Sequence, residues 1–376
     1  MTWLALALAA FWIALVAVEL RGVCSLRELP PHRADSKPTT VTAVMAVRDD
    51  RDHVRASVQR LLEQRDVDLR LVVVDDRSVD GTDEVLAALA ADEPRLDVRK
   101  IRSLPAGWLG KCHALHEGTR DAASPWLLFV DGDSRLAPDL VARAVAAADA
   151  ANAHHVALLP TIEPSSLPGK GCLLAFQSVV ADRLRRVNTT PQRAFVGTGA
   201  FNLVRADAYG AIGRHEGLRL EVVDDVWLGG LLFRAGFRSR LWIASRDLSV
   251  DWGGTPGRLF RDVEKNMFAV LRYRTVAALL LGIGGVALVL ASLSAPWWAG
   301  APGLAATAAF LATAVAPIVL ARRLGWPVAS ALLSPLGRLV LPLALLRSTL
   351  TTTWRGGVSW RGTFYPLAEL RRSQAR

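Results

Sequence analysis

Leu127-Leu128-Phe129-Val130-Asp131-Gly132-Asp133-Ser134 is an apolar run of strand length that ends in two carboxylates separated by a glycine. In an open α/β sheet, ligands bind just beyond the carboxyl ends of the strands, so these acids are expected at the mouth of a site. A hard cation such as Mg²⁺ takes oxygen ligands and is commonly held by one or two carboxylates together with substrate phosphates. The stretch therefore points to a metal–nucleotide complex. D-x-D occurs three times, at Asp50/Asp52, Asp66/Asp68 and Asp131/Asp133, and only the third follows an uninterrupted hydrophobic strand. A solvated Asp-Gly-Asp turn after a core strand is the plain alternative.

Around this stretch, strands and helices alternate. Residues 41–47 predict a valine-rich strand running into Arg48-Asp49-Asp50-Arg51-Asp52, after which Val54, Val58, Leu61 and Leu62 recur at helical spacing. Residues 69–74 predict a second buried strand, closed by Asp75-Asp76-Arg77-Ser78 and followed by a helix carrying Val85, Leu86 and Leu89. Repetition of strand, loop and helix is the pattern of a parallel sheet. A short strand at 98–101 precedes Pro105-Ala106-Gly107-Trp108-Leu109-Gly110-Lys111, whose glycines can bring backbone N–H groups and the Lys111 ammonium to a phosphate. A solvated lysine at a helix start is the alternative there. Helices are expected over 112–123 and 138–151, and a further strand at 156–160. Phe195-Val196-Gly197-Thr198-Gly199-Ala200-Phe201-Asn202 reads as a small-residue turn entering a strand. Asp224-Asp225 then open a helix, where capping is the alternative to catalysis.

The 376 residues leave room for one large domain plus additional elements. With 51% hydrophobic residues and a mean hydropathy of +0.26, the chain is apolar for a soluble protein, and the excess sits at its two ends. Residues 3–20 form a run of membrane-spanning length with only Glu19 near its end. Arg21 and Arg27 follow the run instead of preceding it, which reads as an uncleaved anchor over 1–22 with its amino terminus outside. Residues 276–321 carry no charge, and Pro296, Gly300, Pro302 and Gly303 divide them into a hairpin of two spans. Residues 324–346 are apolar again but contain Pro327, Pro335, Arg338 and Pro342. Arginine at mid-bilayer costs at least ~2.5–3.5 kcal/mol, so interfacial or re-entrant helices are expected over 324–350. Counting positive flanks then places a 39–250 domain, a basic segment at 251–275 and a tail at 351–376 on the cytoplasmic face of a multi-pass cell (inner) membrane protein.

The formal charge of +10 follows those membrane flanks, and no nucleic-acid motif appears, so nucleic acid is excluded as a partner. Cys24, Cys112 and Cys172 are scattered and the 7 histidines show no metal spacing, so neither a disulfide framework nor a zinc site is suggested, and a reducing compartment fits.

Taken in order, Arg48-Asp49-Asp50, Asp75-Asp76-Arg77-Ser78, Gly110-Lys111, Asp131-Gly132-Asp133 and Asp224-Asp225 with Leu228 resemble the family 2 glycosyltransferases over residues 41–240. A closer resemblance is to membrane-bound members similar to hopanoid-associated, carotenoid and ceramide glycosyltransferases. It rests on Gly107-Trp108-Leu109-Gly110-Lys111, Ala208-Tyr209-Gly210-Ala211-Ile212-Gly213-Arg214-His215-Glu216 and Trp360-Arg361-Gly362-Thr363-Phe364-Tyr365. This chain departs from the family at Ala46 for the usual proline, Asp49-Asp50 for Asn-Glu and Asp224-Asp225 for Glu-Asp. The Q-x-x-R-W motif of processive synthases is missing; Arg258, Arg261, Lys265 and Arg272 lie in the equivalent stretch, which weighs against polymerisation.

The resemblance implies a GT-A domain, α/β with a mostly parallel sheet, beside transmembrane and interfacial helices. It also implies an inverting transfer of one sugar from a UDP- or GDP-sugar, assisted by Mg²⁺ or Mn²⁺. Ala46, Arg48, Asp50, Asp76, Lys111 and Asp131 would bind the nucleotide sugar, with Asp76 at the base; Asp133 with Asp131 would hold the metal. Asp225 would be the general base, and Asp224, Trp227, His215 and Arg272 are candidates on the acceptor side. Tethering to a bilayer at both ends makes a lipid alcohol the expected acceptor. A processive polysaccharide synthase and a catalytically inactive membrane scaffold are the competing readings.

Overall fold

The computed structural model describes residues 1–31, 39–162, 166–250, 255–360 and 362–374. The expected linker at 33–38, the start of the basic segment at 251–254, and Arg361 and Arg376 lie outside these residues. Two compact units form: residues 27–161 with 186–251, and residues 1–26 with 162–185 and 252–376.

The first unit is built on a seven-stranded sheet. Its strands are β1 (Thr40–Val47), β2 (Asp68–Asp76), β3 (Leu96–Ile101), β4 (Trp126–Phe129), β5 (His155–Leu159), β6 (Asn202–Arg205) and β7 (Ser239–Ile243), in the order β3-β2-β1-β4-β6-β5-β7. β1 pairs in parallel with β2 and β4, β2 with β3 and β5 with β7, while β6 runs antiparallel between β4 and β5. β1 is apolar almost throughout because both its faces are covered, as parallel strands require. Val44, Val74, Leu127, Phe129, Val204 and Leu228 meet in one core cluster. The helix expected over 112–123 spans Gly110–Gly118 instead. The Thr119 hydroxyl donates to the His116 carbonyl at 2.9 Å and offers the last turn an alternative to continuing.

This topology decides what shares a rim. β1, β2 and β4 are parallel, so their carboxyl ends deliver Arg48 to Asp50, Asp76 and Asp131 to one edge of the sheet. β6 is antiparallel, so its beginning lies at that same edge, with Asn202 beside Phe129. The outer strand β7 is not left open: Ile243 N–H donates to the Arg27 carbonyl and Leu29 N–H to the Ile243 carbonyl, both at 2.8 Å.

In the second unit, helices Thr2–Ser25, Thr275–Ala299 and Ala301–Arg323 are long and apolar enough to cross a membrane. Of the four expected breakers, only Gly300 turns the chain; its φ of +58° suits glycine, and Pro296 is absorbed within the preceding helix. A Cβ on Gly303 would lie 2.0 Å from the Ala295 carbonyl oxygen, so the hairpin closes backbone against backbone.

Residues 324–350 form the helices Val328–Leu332 and Ser334–Gly337 and enter Val340–Arg355. Arg338 is buried, but not as a bare charge: its guanidinium donates to both carboxylate oxygens of Glu19 at 2.8 and 2.7 Å and to the Thr313 hydroxyl at 3.0 Å. A bidentate pair whose charge is already matched is less costly to bury than the isolated arginine on which the expectation for 324–350 rests.

Charge separates the units as well. The unit holding the apolar helices has eighteen Lys and Arg against six Asp and Glu; the sheet unit has 27 against 29. The basic excess therefore accompanies the apolar helices, and a phosphate-rich polymer has no net attraction to the sheet unit.

Candidate active site

The first two loops of the rim are tied to each other by backbone donors. Asp49 adopts the left-handed region (φ +50°), where its N–H donates to the Ser78 hydroxyl and its carboxylate accepts from Val79 N–H, each at 2.9 Å. Asp50 N–H donates to the Thr82 hydroxyl at 2.9 Å. Asp76 is fully buried, and the neighbouring Arg77 forks onto its carboxylate at 2.7 and 3.1 Å; an Arg48 nitrogen lies 4.0 Å away. A Cβ on Gly110 would sit 2.0 Å from Asp76 Oδ2, so a glycine is required for the Gly110-Lys111 turn to pass this carboxylate. Ala46 faces Val74 in the sheet and packs on the core without contributing a polar group.

Deeper in the rim, four charges from three elements converge. Lys111 Nζ lies 2.8 Å from Asp131 Oδ1 and 3.4 Å from Asp224 Oδ1. Burial works to lower the Lys111 pKa, but Asp131, Asp224 and Asp225 outweigh it and hold the ammonium well above the ordinary lysine value. Burial pushes Asp224 up to about 6, against the pull of Lys111 and with help from Asp225 and Asp131. Asp225 is also raised, by burial first, with Lys111 opposing and Asp131 adding to the rise. Asp225 Oδ1 accepts from Val226 N–H at 2.8 Å, and its carboxylate also accepts from the Gly199 N–H. Asp224 does not cap its helix, as one of the two acids was expected to do. It turns to the lysine because the half-buried ammonium is the stronger partner.

Asp131 and Asp133 part company at Gly132. Asp131 is braced by Gly199, whose carbonyl accepts the Asp131 N–H at 2.9 Å and whose missing Cβ would fall 2.1 Å from Asp131 Oδ2. Asp133 is exposed, and a Cβ on Gly132 would stand 3.5 Å from Asp50 Oδ2, so the Asp50 carboxylate borders the same turn. Among the described residues no three His, Cys, Asp or Glu side chains form a cage for a metal. That donor set still fits a cation of the Mg²⁺ or Mn²⁺ class, which takes one or two carboxylates, water and substrate phosphates.

The remaining candidates are dispersed. His215 lines the same pocket as Lys111, buried and hydrogen-bonded through Nδ1 to the Tyr209 hydroxyl; burial, then the Lys111 charge, lowers its pKa to about 3 and keeps it neutral. Trp227 is half-buried one turn into the Asp224–Arg234 helix, with its ring 5.4 Å from that of Phe195. Arg272 belongs to the other unit, just after helix Pro256–Val270, with a φ of +53°. Sequence reasoning passed over Asn202 and His155. Asn202 donates to the Asp225 carbonyl at 3.3 Å, and His155 Nε2 lies 3.0 Å from Asn202 Oδ1. The only sequence signal was the small-residue turn before β6, since a buried histidine in a strand looks like core.

Residues 42–213 match the family described as Glycosyl transferase family 2. The succinoglycan biosynthesis protein ExoO of Rhizobium meliloti (strain 1021) is 32% identical over 124 residues, a match that spans about a third of this chain and a third of that protein. Among solved structures, the mannosyltransferase PcManGT from Pyrobaculum calidifontis, in complex with GDP-Man and Mn²⁺, superposes with a TM-score of 0.57 at 16% identity. That superposition covers 94% of this chain and 99% of the other, and at this identity it establishes the shared fold.

Proposed function

We propose that the chain is a family 2 glycosyltransferase, a reading supported by the match over residues 42–213, and that it moves a single sugar from a nucleotide-sugar donor to a lipid hydroxyl at a membrane, with inversion. The observation that carries this reading is the convergence of Asp131 and Asp225 around Lys111, since a donor-side and an acceptor-side acid must flank one anomeric carbon. The domain boundaries at 39, 250, 276 and 321, and the kinship with lipid-modifying members, belong to the same proposal.

Asp133 and Asp131 would hold a divalent cation together with the donor diphosphate, and Arg48, Asp50 and Asp76 would line the nucleotide. When bound, such a cation supplies Lewis-acid stabilisation of the departing diphosphate. Asp225 takes the proton of the acceptor hydroxyl as its oxygen attacks the anomeric carbon from the face opposite the leaving group. The new C–O bond forms as the bond to the diphosphate oxygen breaks, so one displacement inverts the centre. The raised pKa of Asp225 brings it closer to neutrality, which improves a general base. Lys111 places a positive charge against Asp131 and Asp224 and offsets the mutual repulsion of the three carboxylates.

Three apolar helices and a basic excess confined to their unit support a membrane location and an acceptor that arrives along a bilayer. With the amino terminus outside and the sheet unit cytoplasmic, a reporter inserted at Gly300 is external. The test of function is incubation of membranes with labelled nucleotide sugars, with and without chelator, followed by lipid extraction. GDP-mannose with Mn²⁺ is tried first, because PcManGT was solved with both. Label in the organic phase, one sugar per lipid and lost with chelator, is expected. Label in a water-soluble polymer supports the processive reading, and no transfer from any donor refutes both.

A further inference from the structure

The turn that separates the two key acids is itself held by a side-chain relay. Thr198 to Asn202 lies between Asp131 and Asp225: the Gly199 carbonyl accepts the Asp131 N–H, and the Gly199 N–H donates to the Asp225 carboxylate. Asn202 closes this turn, its Oδ1 accepting from Thr198 N–H at 3.4 Å while its Nδ2 donates to the Asp225 carbonyl at 3.3 Å. Two glycines let the pieces approach. A Cβ on Gly197 would fall 1.8 Å from the Asp225 carbonyl oxygen, and one on Gly229 would fall 1.7 Å from that of Val196.

The amide of Asn202 can point two ways, and its partners, His155 among them, hold it in one. His155 is fully buried in β5, with Nδ1 2.9 Å from the Ser239 hydroxyl and Nε2 3.0 Å from Asn202 Oδ1. Asn202 Nδ2 is committed to the Asp225 carbonyl, so its Oδ1 must accept from His155 Nε2–H, and Nδ1 accepts from Ser239. Burial lowers the imidazole pKa to about 4, with Asn202 opposing, so the ring is neutral and can hold this tautomer.

We infer that Asn202, oriented by His155, is a positioning residue that fixes the spacing between the donor-side acid Asp131 and the acceptor-side base Asp225. The inference rests on the proposed role of Asp225. Without the Asn202 tie, the start of the Asp224–Arg234 helix loses one of its two hydrogen bonds to the turn, and a misplacement of about 1 Å between reacting groups costs on the order of 10²-fold in rate. Donor affinity changes little, because Asp131 keeps its own hydrogen bond to the Gly199 carbonyl and the rest of the nucleotide side is built by other loops.

The test compares kcat and donor KM in purified full-length variants, with Asp225→Asn as the reference. Asn202→Leu is expected to lower kcat ~10–100-fold with donor KM within about twofold of the parent. His155→Phe is expected to lower it ~10-fold. His155→Gln, whose amide N–H can still donate to Asn202, is expected to recover to within about threefold. An inactive Asp225→Asn beside a fully active Asn202→Leu overturns the inference alone, whereas a fully active Asp225→Asn overturns the base assignment itself. If Asn202→Leu does not fold, the histidine pair decides. A slow Phe variant with a recovered Gln variant supports the relay; equal rates in the two overturn it.

Discussion

Replacing Lys111 by methionine keeps most of the length of the side chain and removes the ammonium lying between Asp131 and Asp224. At an effective dielectric constant of about 20, contacts of 2.8 and 3.4 Å are each worth about 5–6 kcal/mol before desolvation is subtracted. The two partners do not share the loss equally. The Asp131 side chain is 41% exposed and water replaces much of what it loses; Asp224 is 8% exposed and cannot recover in that way. Leaving one partner of a buried pair uncompensated costs about 3–5 kcal/mol, which for a domain of this size lowers the melting temperature on the order of 10 °C. The sign of the pH dependence follows from Asp224. Its folded pKa of about 6 lies above its ordinary 3.8, so the folded state holds the extra proton in that window. Stability therefore rises as pH falls from about 6 towards 4 and is lost as pH climbs through 6. Without Lys111 the Asp224 pKa climbs further and the window extends upward. The deficit against the parent is then greatest near pH 8 and shrinks by pH 5. Thermal melting of the detergent-solubilised variant across that range reads it, and Lys111→Arg should restore most of the loss at pH 7. A methionine variant melting within about 2 °C of the parent at pH 7, or a deficit that does not shrink on acidification, refutes the charge cluster as described.

Asp225→Asn should melt normally, bind the donor with near-parental affinity and lose ~10²–10⁴ in transfer rate; Asp224→Asn should retain measurable transfer. The opposite ranking in turnover would move the base to Asp224. Asp133→Asn, on an exposed turn, should abolish transfer with stability changed by less than about 0.5 kcal/mol, and unchanged turnover with and without chelator would remove its metal role. In the other unit, Arg338→Met alone should cost about 3–5 kcal/mol by stranding Glu19, whereas Glu19→Leu with Arg338→Met should come close to the parent. A double variant as unstable as the single one would show that the pair contributes more than charge matching.

Most of the rim was readable in advance because it lies at strand ends. Apolar runs of strand length stop at Val47, Val74 and Val130, and each stop brings its acids to an edge once the strands are parallel. The three long apolar helices were equally legible, since length and absence of charge are one-dimensional properties. What could not be read was partnership across the fold. Arg338 looked too costly to bury because Glu19, 319 positions away, could not be foreseen as its partner. Asp224 looked like a cap because a helix start is local, whereas Lys111 reaches it only after β1 and the Gly110–Gly118 helix have packed.

Linear order alone thus determined that acids end the parallel strands of an α/β sheet and that three segments are apolar enough to leave water, because both depend on residues adjacent in sequence. Tertiary structure alone decided which charges meet. Insertion of antiparallel β6 beside β4 brings the Thr198 to Asn202 turn to the rim, where Gly199 and Asn202 set Asp131 against Asp225 and His155 orients the tie. Hydrogen bonds and ion pairs reach only about 3 Å, so their partners exist only once the sheet has closed.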